Sequence, residues 1–268
     1  MNDNYYIPKE ICFKNVIAAI WQVDQFSSFD QEHIIPKGIV EIIFNFSDSS
    51  PIVVQLASTQ YHLPNCFING FNTTPIQLQL PEKQVFFGVV FQPLAIKKIF
   101  GSPACEFSDI PVDLTLLDST FRSLWHQLAE QDNFDNRVIV FLGWVKRNFI
   151  EWQPREQLTN NFLYAVNQHN LSVKELANRL CYSPRHLSRK IFEATGMNTE
   201  EMLLYKKYLH AVSLIHHTDL PLTAIAYQSQ FSDQSHFIKS FKAYTKMTPG
   251  EYRLNKSYVK GRIYKNVR

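Results

Sequence analysis

The sequence predicts an α+β protein, in which a small β barrel or sandwich closed by helices precedes an all-α part with two helix-turn-helix units. Short apolar runs between turn residues predict the first part, and a repeated helical pattern near the C-terminal end predicts the second. A chain of 268 residues is long enough for two domains. We divide it into a first domain at residues 1–152, a linker at 153–160 and a second domain at 161–268.

The first domain begins with β structure. Gln77 and Gln79 alternate with Ile76, Leu78 and Leu80, which is the period of two of a half-buried strand. Other apolar and aromatic runs are bounded by proline, glycine and asparagine. These strand candidates are residues 39–46, 52–56, 67–68, 76–80 and 85–91.

The end of the first domain is predicted to be helical. Pro93 begins a short helix over residues 94–100, and Gly101 ends it. Two longer helices follow, with Asp118 and Asp135 as expected N-caps. Their apolar stripes either pack on the β unit or join two copies of the chain, and both alternatives stay open. The stripes are Phe121, Leu124, Trp125 and Leu128, then Val138, Phe141, Leu142, Val145 and Phe149.

The second domain contains one pattern twice. In each copy an apolar-alanine pair is followed by a turn residue, an aromatic residue and the N-cap of a second helix. From the cap, apolar residues at +4 and +8 share one buried helix face, and a basic residue at +6 lies on another face. A helix-turn-helix of this kind places its second helix in a DNA major groove. The matched residues are Leu176-Ala177, Cys181, Tyr182, Ser183, Leu187, Arg189 and Ile191, and Ile225-Ala226, Gln230, Phe231, Asp233, Phe237, Lys239 and Phe241.

Capping signals define where these helices begin. Ser172 and Glu175 form a capping box, and Ser183 caps the second helix of the first unit. Thr248 and Glu251 repeat the capping pattern for a last helix. A helix over residues 198–217 joins the units and should hold the two recognition helices about one DNA turn, ~34 Å, apart.

Charge separates the two parts of the chain. Residues 159–268 carry 16 basic and 7 acidic side chains, a net of +9, whereas residues 1–158 carry 11 and 17, a net of −6. A basic domain favours a polyanionic partner. Together with the two helix-turn-helices, this favours double-stranded DNA, bound by the second domain only.

The early residues of each recognition helix are expected to reach base edges. Arginine suits guanine and glutamine suits adenine. The predicted base contacts are Arg185, Ser188 and Arg189 on the first helix, and Gln234, Ser235, His236 and Lys239 on the second. The predicted phosphate contacts are Lys190, Lys242 and Lys246, with a solvated side chain as the alternative for Lys190. His186 is interpreted as structural.

The motifs FSDQSHFIKSFKAY and TPGEYR, with LSVKELANRLCYSPRHLSRKIFEATGM upstream, resemble the DNA-binding domain of the AraC/XylS family of bacterial transcription regulators. The family usually has glycine at Cys181, Gln230 and Lys246, so we expect positive φ there. The segments IPKGIVEIIFNF, NGF and FFGVVFQPLAIKKIFG resemble the N-terminal domain of some members. The resemblance places base contacts at the positions named above, and it makes a second copy of the chain and RNA polymerase further candidate partners.

Enzymatic function finds no support in the sequence. There is no G-x-S-x-G, no H-E-x-x-H and no phosphate-binding glycine loop. His33, His62 and the pair His216-His217 lack partners at ligand spacing, so neither a metal nor a cofactor is predicted. Four scattered cysteines, the absence of a visible signal peptide and the absence of a long apolar run favour the cytoplasm and no membrane contact.

Two functions remain open for the first domain. It binds a small-molecule effector that controls DNA binding, or it is a ligand-free platform for dimerisation or protein interaction. Large aromatic residues commonly line ligand pockets, and they equally commonly fill a core. Those in the strand candidates are Phe44, Phe46, Phe67, Phe71, Phe86, Phe87 and Phe91. The effector, the operator and the sign of regulation do not follow from the sequence.

Overall fold

A computed structural model describes residues 4–26, 29–47, 52–56, 59–148, 154–165 and 171–267. Its strands are β1 Asn4–Tyr6, β2 Ile17–Phe26, β3 Phe29–Ile34, β4 Val40–Asn45, β5 Val53–Leu56, β6 Thr59–His62, β7 Cys66–Asn69, β8 Ile76–Gln79, β9 Lys83–Phe91, β10 Val112–Asp113 and β11 Arg262–Val267. Its first helices are α1 Ile11–Lys14, α2 Ala95–Phe100, α3 Leu114–Leu117, α4 Thr120–Ala129, α5 Phe134–Asn148 and α6 Pro154–Tyr164. The C-terminal helices are α7 Val173–Arg179, α8 Pro184–Thr195, α9 Thr199–His217, α10 Leu222–Gln228, α11 Gln234–Thr245 and α12 Pro249–Asn255, and a 3₁₀ helix covers Ala104–Phe107.

The strands form two antiparallel sheets. The larger sheet has the order β1-β2-β9-β4-β7-β10, and the smaller has the order β11-β3-β8-β5-β6. Neither sheet closes into a barrel, because each begins and ends on a different strand. Of the predicted alternatives, the sandwich is therefore the correct one, and the α+β class is confirmed.

The larger sheet is the middle layer of the first domain. On one face, Phe44 and Phe87 contact Phe141 of α5, with ring centroids 6.0 and 6.1 Å apart. On the other face, Phe67 packs with Val54 of the smaller sheet in a second apolar cluster. Successive strand residues point to opposite faces, so β4 and β9 supply both layers at once.

The predicted strands are all present, but the sequence pattern misses several others. The candidates at 39–46, 67–68, 76–80 and 85–91 correspond to β4, β7, β8 and β9, and the candidate at 52–56 corresponds to β5. β8 shows the expected alternation of half-buried and exposed residues. β2 and β3 are not predicted, because β2 mixes buried and polar residues without a clean period of two.

The apolar stripes of α4 and α5 face the larger sheet. Phe121, Leu124 and Phe141 are buried, which agrees with packing on the β unit; Phe149 lies outside the described residues. The N-cap position of α4 is Ser119, one residue after the expected Asp118, whose carboxylate accepts a hydrogen bond from the Thr120 amide at 2.8 Å. The expected cap at Asp135 is wrong: Asn133 takes that place and accepts from the Asn136 amide at 2.9 Å.

The C-terminal helices begin where the capping signals predict. Capping boxes at Ser172 and Thr248 are complete, and Ser183 accepts from the His186 amide. α9 begins with a further capping box on Asn198. The predicted left-handed positions are confirmed, with φ of 56° at Cys181, 61° at Gln230 and 60° at Lys246.

The segment predicted as a linker is mostly helix. α6 covers residues 154–164, and its C-terminal carbonyls meet a buried lysine from α9. Lys206 donates to the Phe162 carbonyl at 2.6 Å and to the Leu163 carbonyl at 3.2 Å, and 1% of the residue is exposed. Burial lowers the pKa of Lys206 to about 7. The Lys206 amine therefore lies inside the protein and not on the basic surface.

The chain returns to the first domain at its C-terminal end. After α12, β11 pairs antiparallel with β3, with Arg262 opposite Ile34 and Tyr264 opposite Glu32. The Arg262 guanidinium donates to Glu32 Oε1 at 2.9 Å, and Ile263 is buried. The sequence division at residue 161 does not predict this return.

We expect Lys206→Met to remove a pH dependence of stability. The unfolded lysine has a pKa of about 10.4, so between pH 7 and pH 10 the unfolded chain binds more protons than the folded one. The wild-type free energy of unfolding should therefore rise with pH across this window relative to the variant. Urea unfolding at pH 7, 8 and 9 measures this difference. Lys207→Met, at the half-buried neighbour, is the matched control, and a constant difference between wild type and Lys206→Met would contradict the assignment.

Candidate nucleic-acid interface

Apolar anchors fix the orientation of both recognition helices. On α8, Leu187 and Ile191 have no exposed surface, and on α11 the same holds for Phe237 and Phe241. These are the +4 and +8 positions that the repeated pattern predicts to be buried. Because each helix is held by one face, its polar flank has a fixed direction.

The polar flank of α8 is open to solvent at its N-terminal end. Arg185 and Arg189 are exposed, and Ser188 is half-buried. The Arg189 guanidinium lies 3.2 Å from His186 Nε2, and the His186 ring lies 4.8 Å from that of Tyr182. His186 therefore contacts its neighbours within the unit, which agrees with its structural interpretation.

The polar flank of α11 has the same arrangement. Gln234, Ser235 and Lys239 are exposed, and His236 is half-buried. Asp233 caps the helix, and the hydrogen bond from the His236 backbone amide lowers the pKa of its carboxyl group. His236 Nδ1 also lies 3.0 Å from the Ser232 hydroxyl, which orients the ring at the start of the helix.

The three predicted phosphate-binding lysines have different surroundings. Lys242 is exposed on α11. Lys246 is exposed and donates to the Ala243 carbonyl at 3.0 Å. Lys190 lies 3.8 Å from Glu156 of α6 and is 22% exposed. A DNA phosphate would therefore compete with Glu156 for Lys190 in this conformation, while Lys242 faces no such competitor in an ion pair within the described residues.

Direct contacts connect the helical domain to the first domain. Tyr205 of α9 donates to the Asn72 carbonyl at 2.9 Å, and Tyr208 donates to the Pro36 carbonyl at 3.0 Å. Lys97 of α2 pairs with Glu193 of α8 at 3.4 Å. The first recognition helix thus rests against the first domain.

A cavity lies between the two sheets, with a volume of about 80 Å³. Its walls come from β2, β3, β4, β5, β7, β8, β9 and β11. Of the seven aromatic residues considered from the sequence, Phe67 and Phe86 line it. Phe44, Phe87 and Phe91 instead contact Phe141 on the helical side of the sheet.

Charged residues at this cavity were not found by the sequence reasoning. Lys37 pairs with Glu41 at 3.0 Å, Arg262 pairs with Glu32 at 2.9 Å, and all four residues line the cavity. Glu41 lies in an apolar run and Glu32 among polar residues, and in neither place does a lone carboxylate form a recognisable motif. Arg262 had no such signal either, because residues 262–267 show no period of two: Lys265 falls on the same strand face as Ile263.

The histidines considered as ligands lie apart from any acidic or cysteine cluster. Within the described residues, no group of three His, Cys, Asp or Glu side chains could hold a metal ion. Burial lowers the pKa of His33, and Lys265 lowers it further. His216 lies 3.2 Å from the Tyr258 carbonyl. Among the described helices, none combines the length and apolar character that crossing a membrane requires.

Two family models match the chain. A helix-turn-helix domain matches residues 176–255, and a domain of unknown function (DUF6597) matches residues 6–113. The first match runs from within α7 to the end of α12, and the second covers most of the two sheets.

Curated relatives and solved structures share parts of the chain. The regulator SAS0078 of Staphylococcus aureus is 36% identical over 132 residues, or 47% of this chain and 18% of its own length. The regulator YtdP of Bacillus subtilis is 25% identical over 50% of this chain and 19% of its own length. Both are described as uncharacterised HTH-type transcriptional regulators, and this chain spans less than a fifth of either. ToxT of Vibrio cholerae is 14% identical over 88% of this chain and 96% of its own, with a TM-score of 0.46.

We expect Arg189→Ala and Lys242→Ala to weaken DNA binding differently. Arg189 is predicted to read a base, so its loss should cost about 1–3 kcal/mol on the preferred site and relax preference at one position. Lys242 is predicted to meet a phosphate, so its loss should weaken binding to all sequences about equally. Selection of bound duplexes from a random pool, followed by affinity measurements, separates the two effects. An unchanged consensus for Arg189→Ala would show that Arg189 reads no base.

Proposed function

We propose that this chain, whose residues 176–255 match a helix-turn-helix domain, is an AraC-type transcription regulator that binds specific DNA sequences under the control of a small molecule held between its two sheets. The observation that carries the DNA-binding proposal is the pair of matched recognition helices. Each is anchored by two fully buried apolar residues and presents an exposed polar flank.

The exposed side chains suit base reading. Arg185 and Arg189 on α8 can each form paired hydrogen bonds with guanine, and Gln234 on α11 can do so with adenine. Two such helices joined by α9 would read two segments of one duplex, about one turn apart. Sequence specificity then comes from both units, which favours an extended operator over a single short site.

The contact between Lys190 and Glu156 supports a role for the first domain in control. Glu156 also pairs with Lys98 of α2 at 2.6 Å. If a DNA phosphate replaced Glu156 as the partner of Lys190, the ion pairs that connect α8, α6 and α2 through Glu156 would change together. A change in the first domain that moves α2 would act on the same lysine from the other side.

The cavity between the sheets supports the effector proposal. It is lined by residues of the first domain and by Arg262, which follows the DNA-binding helices in the chain. An effector can act only if it binds the two conformations of the protein unequally. A tenfold change in DNA affinity requires about 1.4 kcal/mol of coupling, which is within the range of one or two altered contacts at Arg262 or Glu32.

The alternative is a first domain that serves as a ligand-free platform. Exposed apolar residues on its helices, such as Ile139 and Leu116, would then meet a second copy or another protein. DNA affinity that responds to no small molecule, in a protein whose cavity stays closed to all of them, would favour this alternative.

We expect the full chain to bind duplex DNA with strong salt dependence. Three phosphate contacts are predicted, so the logarithm of the binding constant should fall against the logarithm of salt concentration with a slope of about −3. Fluorescence anisotropy with a labelled duplex at several potassium chloride concentrations measures this slope. Lys242→Ala should reduce it by about 1, whereas Lys83→Ala, on a strand of the first domain, should leave it unchanged. Binding that does not respond to salt would contradict the proposed interface.

A further inference from the structure

The polar end of the cavity is already balanced in charge. Two acidic and two basic side chains meet there, as the pairs Lys37–Glu41 and Glu32–Arg262. The two carboxylates are almost entirely buried, with 7% and 3% of their side chains exposed. A ligand that brought its own charge would leave one charge uncompensated in a buried place, which is costly.

One hydrogen-bonding group at this end has no partner. Lys37 Nζ donates a hydrogen bond to Glu41 Oε1 at 3.0 Å. The other carboxylate oxygen, Glu41 Oε2, is buried and has no hydrogen-bond partner among the described residues. A buried carboxylate oxygen without a donor is unfavourable, and it becomes favourable once an O–H or N–H group meets it. A ligand that suits this cavity therefore supplies one hydrogen-bond donor and carries no charge.

Most of the remaining wall is apolar, and it limits the size of the ligand. The apolar residues include Ile34, Ile43, Val54, Phe67 and Phe86, and the uncharged polar residues are Asn69, Asn72, Thr74 and Gln84. A water molecule needs roughly 10–15 Å³ of such volume, so about 80 Å³ corresponds to a handful of water molecules or one small ring. The Trp21 indole closes part of this space by lying on Gly88, where a Cβ atom would stand 2.2 Å from Trp21 Cζ2.

We propose that this cavity binds a small, uncharged, mostly apolar molecule that carries one hydroxyl group, and that the hydroxyl donates to Glu41 Oε2. This inference rests on the proposed function, because it names the class of effector for the same cavity. Glu41 determines the class of ligand, because it offers a hydrogen-bond acceptor. The adjacent Glu32–Arg262 pair lies on β3 and β11, so a bound ligand would lie beside the strand that follows the DNA-binding helices.

Four matched probes test the ligand class on the full chain: benzyl alcohol, benzyl methyl ether, benzylamine and benzoate. They share a ring and differ in donor and charge. Dissociation constants from ligand-observed NMR, with thermal shifts alongside, should show benzyl alcohol binding at least tenfold more tightly than the other three. Equal or tighter binding of benzoate or benzylamine would overturn the inference, and so would equal binding of the ether.

Two variants show whether binding occurs at Glu41. In Glu41→Gln, the amide oxygen can keep the contact with Lys37 while its NH₂ group replaces Oε2, so the site becomes a donor. The preference should then shift toward benzyl methyl ether, and an unchanged preference would overturn the inference.

Ile76→Phe should fill the cavity and weaken the binding of benzyl alcohol, whereas Gln77→Leu, on the opposite face of β8, should leave that binding unchanged. Benzyl alcohol that binds the Ile76→Phe variant as it binds the wild type would place the ligand elsewhere.

DNA affinity measured with and without each probe separates this inference from the proposed function. If benzoate binds and changes DNA affinity, effector control stands and the ligand class is wrong. If benzyl alcohol binds with the expected selectivity and DNA affinity does not change, the ligand class stands and effector control fails.

Discussion

The pairing of β11 with β3 is the constraint on which the arrangement of the whole molecule depends. It joins the last described residues of the chain to a strand near its beginning, with five paired positions and the Arg262–Glu32 contact at 2.9 Å. Without it, the smaller sheet would end at β3 and expose a row of unpaired backbone groups, which invites non-specific strand addition. The helical domain thus completes the sheet that forms one wall of the cavity.

This pairing acts together with contacts made by α9. Tyr205 and Tyr208 donate to carbonyls of the first domain, and Gly38 lets α9 approach, since a Cβ there would stand 2.6 Å from Leu209 Cδ1. α9 is also the helix that joins the two helix-turn-helix units. A shift of the smaller sheet therefore has two routes to the recognition helices, one through β11 and α12 and one through α9.

Structural features that depend only on residues close together in the sequence were predicted correctly in most cases. The caps at Ser172, Ser183 and Thr248 follow from a few neighbouring residues and are confirmed. The positive φ values at Cys181 and Gln230, expected from the family resemblance, are confirmed as well. The pairing of β11, the burial of Lys206 and the ion pairs of Glu32 and Glu41 depend on residues far apart in the chain, which no local pattern records. The N-cap of α5 was assigned to the wrong residue, Asp135, because Asn133 two residues earlier is an equally good capping residue. The DNA contacts themselves stay predictions.

The central claim is that β11 makes the sheets and the DNA-binding helices one cooperative unit. Differential scanning calorimetry of the full chain, compared with a chain that ends at Gly261, tests this claim most directly. The full chain should unfold in one transition, and the shortened chain should show two, with the sheets unfolding at the lower temperature. Two separate transitions in the full chain, or one unchanged transition in the shortened chain, would contradict the claim.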